Sequence, residues 1–226
     1  AKSVEVPNYY TGEMLTIPLD ETLSPLDNAK KYFARYNKLK RTFEALNTQT
    51  EETRTEIAHL QTIQAALAIA ESEDDLAQIR DELETYGYIR RKMNGKKKQK
   101  SKSKPFHYRS SDGFDIYVGK NNFQNDELTF KFVTGNDWWF HAKQMPGSHV
   151  IVKTNGKELP DRTFEEAAAL AAYYSKGRDL DKVEVDYVLK KEVKKPAAAK
   201  PGFVVYYTNY SLIAIADIKG IKEVTG

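Results

Sequence analysis

The densest grouping of aromatic, imidazole and cationic side chains is Asp137-Trp138-Trp139-Phe140-His141-Ala142-Lys143, followed by Met145-Pro146-Gly147-Ser148-His149. On a strand, neighbouring side chains point to opposite faces, so one tryptophan serves a core while the other, with His141 and Lys143, meets water or a partner. A flat ring beside an imidazole and a lysine makes a stacking platform with a phosphate contact, the kind used by readers of single-stranded RNA. In the competing reading the domain's own helix covers that face too, both rings are core, and His141 and His149 are hydrogen-bonded strand histidines. Catalytic patterns are missing. His59 falls on a helical stripe, the other three histidines are scattered, and there is no His-Glu-x-x-His, no carboxylate pair at metal-ligand spacing, no Gly-x-Gly-x-x-Gly and no Walker loop. Ser148 and His149 are neighbours, which on a strand separates them and rules out a nucleophile–base pair. The 226 residues include no cysteine, which removes disulfides, thiol nucleophiles and thiolate-held metals. The chain is therefore expected to be no enzyme and to hold neither cofactor nor metal.

Positive charge is the second feature. Residues 1–89 carry net −7, residues 90–104 net +9 with no acidic residue, and residues 105–226 net +1. Arg90, Arg91, Lys92, Lys96, Lys97, Lys98, Lys100, Lys102 and Lys104 cannot bury themselves, and Asn94-Gly95 and two serines among them give the composition of a linker. Such a run either stays a solvated spacer or neutralises several phosphates, which gives salt-sensitive binding to nucleic acid of any sequence. Lys194, Lys195 and Lys200 on a proline-rich loop are the other candidate phosphate contacts.

These groups need elements to position them. Residues 4–20 alternate weakly about Gly12 and read as a short hairpin or extended lead-in. Ser24-Pro25 with Asp27 starts a helix: hydroxyl cap, proline at the first position, carboxylate at the positive end of the dipole. From Ala29, the positions 32, 36, 39, 43, 46, 50, 53, 57, 60, 64 and 67 alternate spacings of four and three, the seam of a coiled coil weakened at Thr50, Thr53 and Gln64. Some 45 helical residues would span roughly 65–70 Å and project as an arm. A shorter stripe of Leu76, Ile79, Leu83 and Tyr86, stopped by Gly87, cannot cover that seam. Either an upstream helix completes the coil or two copies of the chain pair as a homodimer. From Phe106 the pattern becomes a hairpin about Ser111-Asp112-Gly113, a helix within 122–132, strands at 138–142 and 149–154 joined by a type II turn at Pro146-Gly147, a helix over 164–175 stopped by Gly177, and strands at 183–193, 203–207 and 212–216. The fold class is α+β: a coiled-coil arm over 1–89, a basic linker over 90–104 and a compact mixed α/β domain with an antiparallel-rich sheet over 105–226. No apolar run approaches the roughly 18 residues of a membrane span. The start, Ala1-Lys2-Ser3-Val4, has neither initiator Met nor signal-peptide core, so the chain reads as soluble and as a piece of a longer protein.

Three segments carry a resemblance. Gly119-Lys120-Asn121-Asn122-x-Gln124-Asn125-Asp126-x-Leu128-Thr129, then Asp137-Trp138-Trp139-Phe140-His141-Ala142 with Pro146-Gly147-Ser148-His149-Val150, and Lys200-Pro201-Gly202 look like hallmarks of the C-terminal NFACT-R domain of the NFACT family. Leu23-Ser24-Pro25-x-x-Asn28-Ala29-x-x-Tyr32-Phe33-x-x-Tyr36-x-Lys38 through Glu82-Leu83 resembles the second part of that family's central coiled coil. Trp138 stands where the family usually has leucine, and Ala198 where it usually has glycine. The resemblance implies rescue of stalled ribosomes: the full-length protein binds the large subunit with its obstructing peptidyl-tRNA and recruits alanyl-tRNA, so that an alanine tail marks the peptide for degradation. It implies a cytoplasmic protein with the large ribosomal subunit and tRNA as partners, and adds Asn121 and Asn122 to Lys96, Lys97, Lys98, Lys100, Lys102, Lys104, Trp138, Trp139, His141, Lys143, His149, Lys194, Lys195 and Lys200 as contact residues. The tRNA-recruiting N-terminal domain and the first half of the coil are missing, in keeping with the unpaired seam. Some members are also described as bacterial surface adhesins for host fibronectin and fibrinogen despite lacking a signal peptide, which leaves adhesion as the alternative.

Overall fold

The computed structural model describes residues 1–90 and 103–224, in two compact units, Ala1–Glu56 and Ile57–Gly226. In the first, β1 (Ser3–Pro7) and β2 (Met14–Pro18) form an antiparallel ladder from Ser3↔Pro18 to Pro7↔Met14, closed by a turn in which Gly12 adopts φ +73°. α1 (Pro25–Ala68) starts as its caps predict, the Asp27 amide donating to Ser24 Oγ at 3.2 Å. Buried Asn28 ties this start to the end of the hairpin: its Oδ1 accepts from the Asp20 amide at 2.8 Å and its Nδ2 donates to the Asp20 carbonyl at 2.9 Å. Tyr32 Oη donates to the Pro18 carbonyl at 2.6 Å.

The seam residues of α1 are open. Tyr36, Leu39, Phe43, Leu46, Ile57, Leu60 and Leu67 are all exposed. What the last turns of α1 bury is a different stripe, His59, Ile63 and Ala66, one residue round the helix from the seam. α2 (Glu73–Thr85) packs there through Ile79 and Glu82, which with buried Asp75 again stand at i, i+4, i+7. Leu76, expected on the apolar stripe, is therefore exposed. α2 begins with a capping box, Ser72 Oγ accepting from the Asp75 amide while Asp75 Oδ2 accepts from the Ser72 amide, and Gly87 at φ +76° follows its end.

Seven strands, β3 (Phe106–Arg109), β4 (Asp115–Val118), β5 (Trp138–Ala142), β6 (Val150–Val152), β7 (Val183–Leu189), β8 (Tyr210–Ala214) and β9 (Lys222–Glu223), form one sheet in the order β8-β7-β5-β6-β4-β3-β9, every pair antiparallel. α4 (Asp161–Tyr173) covers one face with Ala167, Ala168, Leu170 and Ala171 against Ile116, Val118, Phe140, Val150 and Val185. α3 (Asn122–Glu127), continued by a π-helical turn over Leu128–Phe132, lies on the other face, where Leu128, Trp139, Ile151, Val188 and Val193 meet. A sheet buried on both sides explains why β6 reads as an uninterrupted Val-Ile-Val run.

Four local expectations are corrected. Phe203–Tyr207 is not a strand: Val205 alone bridges back to Lys194. The strand predicted to end at Val193 ends at Leu189, where a 3₁₀ turn takes over. Pro146-Gly147 is no type II turn, since Gly147 lacks the positive φ such a turn needs and it is Gln144 that stands at φ +54°. Gly147 instead lets two segments touch, because a Cβ there would sit 2.9 Å from that of Ser175. Nor does Gly177 cap α4, which closes at Tyr174; a Cβ on Gly177 would meet Met145 Sδ at 2.8 Å.

Candidate nucleic-acid interface

Strand alternation places Trp138 and Trp139 on opposite faces of β5, and both faces are covered. Trp139 is 1% exposed, its ring beside His149 (5.1 Å), Tyr206 (5.3 Å) and nearly parallel to His141 (5.6 Å, 18°). Trp138 is partly buried among Phe164 of α4, Tyr187 and Tyr210. The open indole platform expected from the sequence is thus corrected to two packed rings, because α4 and the α3 layer each claim one face. Asp137 explains itself as an anchor: 1% exposed, it accepts from the amides of Thr134 (2.8 Å) and Thr154 (2.9 Å) and from Lys153 Nζ (2.8 Å). Burial pushes its carboxyl up, but Lys153 and the two amides outweigh this and hold it below the usual value.

The two histidines behind Trp139 are neutral. Burial lowers His141 from 6.5 to about 4, and it lowers His149, whose Nδ1 lies 2.7 Å from Thr129 Oγ1, well below its ordinary value, with His141 as the next cause. Asn121 and Asn122, implied as contacts, are buried at 2% and 4% and hold the module together instead. Asn121 caps α3 through the Gln124 amide (3.0 Å) and donates to Gln78 of α2 (2.6 Å). Asn122 Nδ2 donates to Thr62 Oγ1 of α1 (2.7 Å) and to Glu82 Oε1 of α2 (2.8 Å). The flanking glycines of the same motifs make room for asparagine side chains: a Cβ on Gly119 would sit 2.2 Å from Oδ1 of Asn125, and one on Gly202, at φ +78°, 2.8 Å from Oδ1 of Asn122.

Glu82 is the centre of this joint. It is fully buried, its Oε1 lies 2.8 Å from His59 Nε2, and its Oε2 has no partner among the described residues. Burial raises the carboxyl from 4.5 to about 7 and lowers His59 from 6.5 to about 4, so both are neutral in mildly acidic solution. His59 Nδ1 lies 3.0 Å from Tyr88 Oη, which accepts from Lys200 Nζ at 2.8 Å. Lys200 also sits 5.4 Å and 5.3 Å from the ring centres of Tyr86 and Tyr88. His59 and Glu82 were missed because one falls on the coil and the other on a short stripe. The usable signal was their polar identity at spacing i, i+4, i+7 with Ile63 and Ala66, and with Asp75 and Ile79.

Of the lysines, Lys96, Lys97, Lys98, Lys100 and Lys102 lie outside the described residues. Lys104 and Lys194 are exposed, Lys195 pairs with Asp126 at 2.7 Å, and Lys143 pairs with Glu184 at 2.5 Å, with Asp186 3.8 Å away. Beside these residues is a cleft of about 320 Å³, lined by Ala58, Gln61 and Thr62 of α1, by Trp139, His141 and Gln144–Gly147, and by Gly202–Val204 with Tyr206. Among the described residues no three His, Asp or Glu side chains gather as a metal site, and no helix is long and apolar enough to cross a membrane.

With this geometry in view, comparison with known proteins is specific. Residues 1–102 match the NFACT N-terminal and middle domains and residues 104–208 the NFACT protein RNA binding domain. The chain belongs to the NFACT family. The Rqc2 homolog RqcH of Streptococcus suis is 44% identical over 205 residues, 90% of this chain and 36% of that protein. The RqcH of Bacillus subtilis is 40% identical over 220 residues, 96% of this chain and 38% of its own length. The chain thus spans under two fifths of the length of these two relatives. A solved structure, the C-terminal part of the fibronectin/fibrinogen-binding protein from Streptococcus suis, superposes with TM-score 0.79 at 40% identity over 89% of this chain and 81% of that one. Ala198 stands at φ +58°, a conformation that glycine adopts without strain.

Proposed function

We propose that this chain is the coiled-coil and RNA-binding part of a cytoplasmic ribosome-associated quality-control factor. In the whole protein it would help bind the stalled large ribosomal subunit with its tRNA, where alanine tailing marks the nascent chain. The observation that carries this is the match of residues 104–208 to an RNA-binding domain, joined to RqcH relatives 40–44% identical over at least nine tenths of the chain. The physical support is the nine-cation run over 90–104, which in sequence leads directly into that domain, and exposed Lys194. The seam from Tyr36 to Leu67 supports a partner helix, supplied by the rest of the protein or by a second copy. The test is the affinity for tRNA and for large-subunit RNA between about 50 and 200 mM salt. Contacts to six or more phosphates predict a loss of roughly a thousandfold, and a flat dependence or no binding refutes the reading.

A second reading, adhesion to fibronectin or fibrinogen, rests on the solved relative described as binding both. Surface plasmon resonance on immobilised fibronectin separates the two. Binding abolished by reversing the charges of 90–104 alone is electrostatic stickiness, whereas binding that survives the reversal favours a protein-specific site.

A further inference from the structure

We propose that the cleft between the last turns of α1, the end of β5 and the segment Gly202–Tyr206 receives one unpaired nucleobase of a single-stranded RNA. This rests on the RNA-binding reading above and names what one part of that surface holds. Three observations converge. None of the residues lining the cleft is Lys, Arg, Asp or Glu, so it has nothing to neutralise a phosphate or a carboxylate and suits a flat, uncharged group. Planar side chains line it: half-buried His141, its ring within 18° of parallel to that of buried Trp139, together with Phe203 and with Tyr206, whose ring packs against that indole at 5.3 Å. One polar atom of a lining residue lacks a partner: Trp139 Nε1 is buried and meets no acceptor among the described residues, which is costly unless something supplies one. A base offers ring nitrogens and carbonyl oxygens that accept from an indole N–H and from the amides of Gln61 and Gln144, which also line the cleft.

The size agrees. About 320 Å³ stands at the small end of ligand pockets, room for a single base but not for a dinucleotide cofactor. The His141 imidazole is neutral near pH 7, the state in which it stacks on a base without attracting its phosphate. A phosphate contact stands close by in the chain: exposed Lys194 bridges to Val205, between the cleft residues Val204 and Tyr206. Unpaired bases are what RNA exposes in loops, bulges and ends, and stacking on aromatic side chains is how proteins hold them.

The test compares an eight-nucleotide single-stranded RNA with an abasic oligomer of the same length and phosphate count, using fluorescence anisotropy on the whole chain. The RNA should bind roughly 5- to 150-fold more tightly, the range that stacking of one base supplies. His141→Ala should bring the RNA down toward the abasic oligomer, and Trp139→Phe, which keeps a ring but removes the N–H, should weaken RNA by about fivefold. Both should leave the salt dependence unchanged, since neither touches a phosphate contact. Equal affinities for RNA and abasic oligomer overturn the base-binding cleft while the RNA-binding reading stands. Binding of neither oligomer removes both. If free adenosine, cytidine, guanosine or uridine monophosphate binds as tightly as the RNA, the site belongs to a free nucleotide and the RNA assignment falls. Should His141→Ala fail to fold by its amide spectrum, the wild-type indole N–H resonance of Trp139, assigned with Trp138→Phe, is followed during RNA titration: a shift supports the cleft and a stationary signal overturns it.

Discussion

Replacing Glu82 by glutamine tests the joint between α1, α2 and the sheet module most directly. In the folded chain the carboxyl keeps its proton up to about pH 7, whereas an unfolded glutamate releases it near 4.5. Between these values the folded state binds more protons than the unfolded one, so Glu82 makes stability fall as pH rises across that window. At about 1.4 kcal/mol per pH unit the full effect is about 3 kcal/mol, undiluted by solvent because the side chain is fully buried. Glutamine keeps the shape and an oxygen for Asn122 Nδ2, but it does not titrate. His59 has the opposite sign, its lowered value making stability rise between pH 4 and 6.5, and it is common to both proteins. The wild type should therefore show a shallow profile, while the stability of Glu82→Gln relative to it climbs by about 3 kcal/mol from pH 4.5 to 7.5. Urea unfolding followed by the fluorescence of Trp138 and Trp139, which belong to the same compact unit as Glu82, measures it. Whatever constant offset the new amide introduces is irrelevant. A difference that does not change with pH would refute the buried, proton-holding carboxyl.

Three further outcomes follow from single contacts. Ala198→Gly removes a left-handed alanine at φ +58° and should raise stability by up to about 1 kcal/mol, some 2–4 °C in Tm; a fall means the loop does not adopt that conformation. Gly119→Ala drives a methyl to 2.2 Å from Asn125 Oδ1, which also accepts the His149 amide, and should cost about 3 kcal/mol or prevent folding; a neutral result in thermal unfolding would separate these groups. Asp137→Asn should cost about 3 kcal/mol at pH 7, because Lys153 loses its counter-charge. That cost should shrink as pH drops below about 3.8, since the wild-type carboxylate is depressed and its contribution is lost on protonation. A cost that persists undiminished in acid points to shape rather than charge.

The sequence by itself determined what depends on local chemistry. Ser24-Pro25 and Asp27 start α1, and alternation puts Trp138 and Trp139 on opposite faces. The spacing of Leu39, Phe43 and Leu46 marks a seam that the structure leaves open. Periodicity and capping act within a few residues, so they are written in neighbours. What only the tertiary structure decided are the meetings of distant residues. His59, Glu82 and Asn122 join three helices, Gly202 yields space to Asn122 far back along the chain, and Phe203, Val204 and Tyr206 line a cleft with residues of α1. Whether a ring is a platform or a core residue depends on what packs over it, and a covering layer is chosen by the whole chain.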